Sequence, residues 1–154
     1  MKHLFDPLEN SGLCWLTIFI GYDPKEDICA KILAHTIRSF DTKIKYKIVP
    51  LIYNQLYAYG YTNRELDKRG STEFTMTRFL SAPLVNLYHD LRGQTSYPRL
   101  ALFLDCDMMF TRSVDSLIEE VDLTKSVSVC KHDYTSSFIS KMGGSNQEPY
   151  PKKN

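Results

Sequence analysis

Five consecutive apolar residues, Leu100-Ala101-Leu102-Phe103-Leu104, stop abruptly at Asp105-Cys106-Asp107. A short apolar run with no polar alternation reads as a strand covered on both faces, and this is the clearest central strand in the chain. Such strands belong to parallel sheets, whose successive strands need a long crossover connection. The first third of the chain supplies one. Trp15-Leu16-Thr17-Ile18-Phe19-Ile20 is a β-branched and aromatic run closed by Gly21, and Gly21-Tyr22-Asp23-Pro24 reads as the turn after it. Over residues 26–40, Ile28, Cys29, Ile32, Leu33, Thr36, Ile37 and Phe40 recur at helical spacing. Glu26 and Asp27 stand at the front of that segment and Arg38 at its back, as a helix dipole prefers. Residues 43–52 set Ile44, Tyr46 and Ile48 against Lys43, Lys45 and Lys47, which predicts a second strand. Strand, helix, strand in that order implies a right-handed crossover.

The size of the chain agrees with one domain of this kind. With 154 residues, 43% apolar and 24% charged, it has the composition of a folded protein. A chain of this length buries roughly 68–70% of its unfolded surface. Collagen, coiled coil and wholesale disorder are excluded. Nineteen basic side chains against 18 acidic ones leave no field to steer a nucleic acid, and Lys152-Lys153 is the only basic cluster that stands out. The first twelve residues hold Asp6, Pro7, Glu9 and Asn10 where a signal peptide needs a cationic end and then an apolar run. The longest apolar stretches fall far short of the ~20 residues of a membrane span. The expectation is therefore a soluble, cytoplasmic protein with no membrane span and no nucleic-acid partner. Cys14, Cys29, Cys106 and Cys130 form no C-x-x-C and read as free thiols.

The remaining segments complete an α/β pattern. Residues 54–71 predict a short helix and a surface loop, residues 74–88 a helix with Pro83 as a kink or break, and residues 113–121 a short capped helix. Residues 126–130 predict another strand, leading into Lys131-His132-Asp133-Tyr134. The sequence thus divides into an N-terminal extension over 1–13, a domain over 14–135 and a polar, disordered tail over 136–154.

In open α/β sheets, ligands bind in the crevice beyond the carboxyl ends of the strands. Asp105 and Asp107 stand at that position. If the strand geometry continues for two residues, its period of two turns both carboxylates to one face, where they can hold one hard cation, Mg²⁺ or Mn²⁺. Eleven aspartates in 154 residues make about one D-x-D by chance, so the weight of the motif lies in its place at a strand end. The turn after the first strand faces the same crevice, with Tyr22 able to stack on a base and Asp23 to bond a base or ribose edge. An ordinary turn is the alternative there. Arg78 lies against the apolar stripe of the helix at Phe74, Phe79 and Leu80. It needs an anion, which is a phosphate or a carboxylate such as Glu73 or Asp107. Asp133 follows a strand and is a candidate for bonding a sugar hydroxyl.

Together, these residues resemble a family. Gly-Tyr-Asp after the first strand, Arg-Phe-Leu-x-x-Pro over 78–83, Leu-Phe-Leu-Asp-Cys-Asp over 102–107 and Val-Asp-Ser-Leu over 114–117 are similar to the nucleotide-sugar half of GT-A glycosyltransferases of the family 8 type. The resemblance covers residues 15–134. It implies a Rossmann-like GT-A fold with a mixed, mainly parallel sheet flanked by helices, incomplete on its C-terminal side. It also implies a retaining transfer from a nucleoside-diphosphate sugar, most simply a UDP-sugar, to a glycan, lipid or protein acceptor. By the same resemblance, Asp105 and Asp107 hold Mn²⁺ or Mg²⁺ and through it the donor diphosphate. Arg78 reaches the donor phosphate or sugar, Gly21, Tyr22 and Asp23 hold the base and ribose, and Asp133 contacts the transferred sugar. That family draws a third metal ligand, a His, from a C-terminal segment that also builds much of the acceptor site. Only 47 residues follow Asp107 here, which raises the expectation of a partner chain supplying the missing half.

Two alternatives remain at this stage. One is a donor-binding fragment or partner subunit that turns nothing over. The other is a phosphatase of the haloacid dehalogenase type, whose pattern places Thr or Val where this chain has Met109.

Overall fold

The computed structural model describes residues 5–6, 15–65, 73–90 and 100–129, with side chains to 86 in the third segment. The chain divides into two compact units, Met1–Glu120 and Val121–Asn154. The first is an α/β unit built on a parallel sheet flanked by helices. Among the described residues its three strands are β1 (Leu16–Gly21), β2 (Tyr46–Leu51) and β3 (Leu100–Leu104), in the order β2-β1-β3. β1 pairs in parallel with both neighbours, Ile18 standing opposite Ile48 on one side and Leu102 on the other.

β1 is therefore the central strand, and all six of its residues are buried. Its alternation feeds two cores. Leu16, Ile18 and Ile20 pack with Ala30, Leu33, Ala34 and Ile37 of α1 (Asp27–Arg38) and with Val114 of α5 (Val114–Ile118). Phe19 packs the opposite way with Leu56 of α2 (Tyr53–Ala58) and with Leu84 and Val85 of α4 (Ser81–Asp90). Helices thus cover both faces, as parallel strands require.

β3 departs from expectation. Among the described residues it has one neighbour rather than two, and only Leu104 of its five residues is buried, Ala101 being exposed. The apolar run correctly marks a strand, but composition records how much cover a strand tolerates and not how many partners it finds.

Local chemistry explains most of the element ends. Asp23 caps the 3₁₀ turn Pro24–Glu26 by accepting the Lys25 N–H at 2.9 Å, with Pro24 at the first position, where no N–H is needed. The buried stripe of α1 is Ala30, Leu33, Ala34 and Ile37, whereas Ile28 and Ile32 are 64% and 46% exposed. The small Ala30 and Ala34 let the helix approach the sheet, so the face is rotated from the one the large side chains predict. The helix over 74–88 is interrupted: α3 (Phe74–Thr77) passes through a 3₁₀ turn, Arg78–Leu80, into α4. Pro83 then occupies the first turn of α4. The break falls before the proline because its ring excludes the carbonyl of residue 79 from an α-helical path. Ser113 caps α5 by accepting the Asp115 N–H at 3.2 Å. Asp115 in turn accepts the Lys43 N–H at 2.8 Å and the Ile44 N–H at 3.3 Å, tying α5 to the approach to β2.

Within the N-terminal extension, Asp6 is bound to the domain. Its N–H donates to the Ile48 carbonyl at 2.7 Å, its carboxylate accepts the Ile48 N–H at 2.9 Å, and Arg38 pairs with it at 2.8 Å.

In the second unit, residues 121–129 hold a turn in which the Asp122 carboxylate accepts the Thr124 N–H at 3.0 Å. The strand expected over 126–130 is absent from its described part, 126–129. Val127 and Val129 are 76% and 84% exposed, and a β-branched stretch without a neighbouring strand has no ladder to join. Among the described residues, no helix is long and apolar enough to cross a membrane.

Candidate functional site

The carboxyl ends of β1 and β3 lie side by side, because Ile20 is in register with Leu104. Two turns leave from there.

The first turn is tightly packed. A Cβ on Gly21 would lie 2.8 Å from both Cβ and Cγ of Phe74 and 3.1 Å from Cζ of Phe103, so glycine is required by close approach. The Tyr22 hydroxyl donates to the Asp27 carboxylate at 3.0 Å, and burial followed by this bond raises the phenol's pKa. Asp27 also pairs with Lys31 at 2.6 Å, and the Lys31 and Tyr22 bonds lower its pKa. Asp23 is only 6% exposed. One of its oxygens accepts the Lys25 N–H and the other the Glu73 N–H at 3.3 Å. Asp23 thus fastens the start of α3 to the end of β1.

The second turn is held from below and open above. β3 ends at Leu104, and Cys106 and Asp107 already belong to a turn. The Cys106 thiol, buried under the turn, donates to the Glu26 carboxylate at 2.8 Å. Burial first, then Glu26, pushes this thiol up to about 12, so it stays protonated and unreactive. Four residues on, the Phe110 N–H donates to the Thr36 hydroxyl at 3.1 Å. These two anchors fix the loop on α1 and the turn before it. With Cys106 turned inward, Asp105 is half-buried and Asp107 exposed.

Arg78 joins the site from the 3₁₀ turn after α3. Its guanidinium reaches Asp105 at 3.3 Å, 5.8 Å from the centroid of the Phe74 ring and 5.4 Å from that of Phe103. Two aromatic faces and one carboxylate therefore position a cation at the carboxyl end of the sheet. Its anion is neither Glu73 nor Asp107, the carboxylates weighed from the sequence. The pair is about one-third exposed on both sides, so it adds only ~0–1 kcal/mol to stability. Among the described residues, the buried Nε of Arg78 has no hydrogen-bond partner, nor have Oε2 of Glu73 and Oγ1 of Thr77. Burial and then Asp23 raise the pKa of Glu73.

Asp105, Asp107, Arg78 and the Gly21-Tyr22-Asp23 turn thus come together at one end of the sheet, while Asp133 lies outside the described residues. Thr77 escapes the sequence pattern, and Glu73 enters it only as a carboxylate for Arg78, since what distinguishes the two is a buried atom without a partner among the described residues. Among the described residues, no three His, Cys, Asp or Glu side chains cluster as a metal cage. The donors on offer, two carboxylates with a protonated thiol facing away, nonetheless have the chemistry of a hard-cation site rather than a soft one.

No family model matches the sequence, and no solved structure matches it. The chain is similar to Protein CDI of Arabidopsis thaliana, with 34% identity over 137 residues, which is 89% of this chain and 49% of that protein. The chain spans about half the length of that curated relative.

Proposed function

We propose that this chain is the donor-binding part of a metal-dependent, retaining glycosyltransferase that takes a nucleoside-diphosphate sugar, a UDP-sugar in the first instance. The observation that carries the reading is the placement of Arg78. A guanidinium is held by Phe74, Phe103 and Asp105 at the carboxyl end of a parallel sheet, with a buried Nε that has no partner among the described residues, beside the exposed Asp107. Anion-binding cations are placed this way where a phosphate has to be oriented.

Breaking the bond between a sugar and a nucleoside diphosphate leaves negative charge on the departing phosphate. Arg78 is fixed before the ligand arrives, so it stabilises that charge without reorganising, and the low-dielectric ring faces beside it strengthen the effect. Asp105 keeps the guanidinium in place. Asp105 and Asp107 would hold Mn²⁺ or Mg²⁺, which supplies Lewis-acid neutralisation of the diphosphate when bound. Cys106 and Phe110 set the height of the loop through Glu26 and Thr36. Asp133 is proposed for the sugar side by the same resemblance.

The test is a melting curve with Mn²⁺ and UDP-glucose. The reading predicts a rise in Tm that needs both the metal and the nucleotide and is lost in Asp105→Asn with Asp107→Asn. No shift with any nucleoside-diphosphate sugar contradicts it. Donor hydrolysis or transfer in the same panel then separates a transferase from a binding module.

A further inference from the structure

Two buried polar atoms remain without a role after the diphosphate site is described. Among the described residues, Glu73 Oε2 and Thr77 Oγ1 have no hydrogen-bond partner, and Thr77 is only 1% exposed. Unsatisfied buried groups are rare, and each calls for an explanation, of which a bound ligand is one. The two residues are four apart on one helical stretch, which puts them on the same face. Their neighbour Phe74 packs under Gly21, and Asp23 binds the Glu73 N–H. Glu73 therefore stands beside the first turn, with Thr77 one helical turn further along the same face.

We infer that Glu73 and Thr77, rather than Asp23, read adjacent hydroxyl groups of the donor, on its ribose or on its transferred sugar. This rests on the donor-binding reading above. Asp23 is poorly suited because its two oxygens already accept backbone N–H groups. A carboxylate repels a phosphate but accepts well from a hydroxyl, and a threonine hydroxyl can donate to or accept from a second one. Two hydroxyls on neighbouring carbons thus satisfy both orphaned atoms at once. Asp23 acts as a positioning residue that fixes the backbone of Glu73.

The test compares the wild-type chain with Glu73→Gln, Thr77→Val and Thr77→Ser, titrated with UDP, 2′-deoxy-UDP and UDP-glucose in the presence of Mn²⁺. Melting curves without ligand are recorded in parallel. Thr77→Val removes a hydroxyl that bonds nothing among the described residues, so its ligand-free Tm is expected to hold or rise. The same change, and Glu73→Gln, should weaken binding roughly tenfold, with Thr77→Ser restoring it. If the ribose is read, wild type binds 2′-deoxy-UDP more weakly than UDP, and both variants bind UDP more weakly than wild type does. If the transferred sugar is read, the variants differ from wild type with UDP-glucose and not with UDP.

Unchanged affinity of both variants for UDP and UDP-glucose overturns the inference and leaves the donor site intact. A fall in the ligand-free Tm of Thr77→Val, recovered in Thr77→Ser with affinity unchanged, overturns it in favour of a structural role. Wild-type protein that binds no nucleotide at all overturns the donor-binding reading and this one together.

Discussion

The turns after β1 and β3 leave the same end of the sheet from strands in register, yet they are built oppositely. In the first, Gly21 sits against Phe74, the Tyr22 hydroxyl is bonded to Asp27, and Asp23 is buried with both oxygens in use. In the second, only Cys106 is buried and bonded, while Asp107 is exposed and Asp105 half so. Position at a strand end makes a residue available to the crevice, but uncommitted atoms make it able to bind. The polar atoms of the first turn are bonded within the chain, and the polar groups left over beside it belong to the α3 segment it holds.

The largest expected effect tests whether the first turn is sealed. Gly21→Ala would drive a methyl into Cβ and Cγ of Phe74, atoms too close to the backbone to yield, and should cost about 2–3 kcal/mol in urea unfolding. A loss below ~0.5 kcal/mol would mean that the turn has slack. Asp23→Ala comes next. It strips acceptors from the Lys25 and Glu73 N–H groups and should cost about 1–2 kcal/mol, read from the same curves.

A smaller, pH-dependent effect belongs to the underside of the second turn. The Cys106 thiol is raised to about 12 in the folded chain, so the unfolded chain releases this proton first as pH climbs. Its contribution to stability is complete below the ordinary thiol range and is lost as pH rises through that range toward about 12. Unfolding curves from pH 8 to 11 should show a slope that Cys106→Ala reduces, and mass-spectrometric mapping should find Cys106 unalkylated in native protein at pH 8. The smallest effect is on the upper side. Asp105→Asn with Asp107→Asn should change stability by less than ~1 kcal/mol, because the Arg78 pair is partly solvated.

Much of this contrast was legible in the sequence. The β-branched run before Gly21, the 3.6-residue period of α1 and the aspartates after five apolar residues each follow from local pattern. Four features were not. Among the described residues the central position belongs to β1 and not β3, since an apolar run does not reveal its neighbours. The buried face of α1 runs through Ala30 and Ala34, whose importance is closeness of approach and not hydrophobic size. Arg78 finds Asp105 across 27 positions in sequence, a pairing set by the register of β1 with β3. What distinguishes Glu73 and Thr77 becomes visible only once burial and partners are known.

The most direct measurement is isothermal titration of UDP-glucose, with Mn²⁺ present, into the wild-type chain, into Asp105→Asn with Asp107→Asn, and into Tyr22→Phe. The account predicts that the wild type binds, that the aspartate variant loses binding while remaining folded, and that Tyr22→Phe, which removes only a bond within the first turn, binds as the wild type does. Equal binding by wild type and the aspartate variant, or no binding by the wild type, would contradict it.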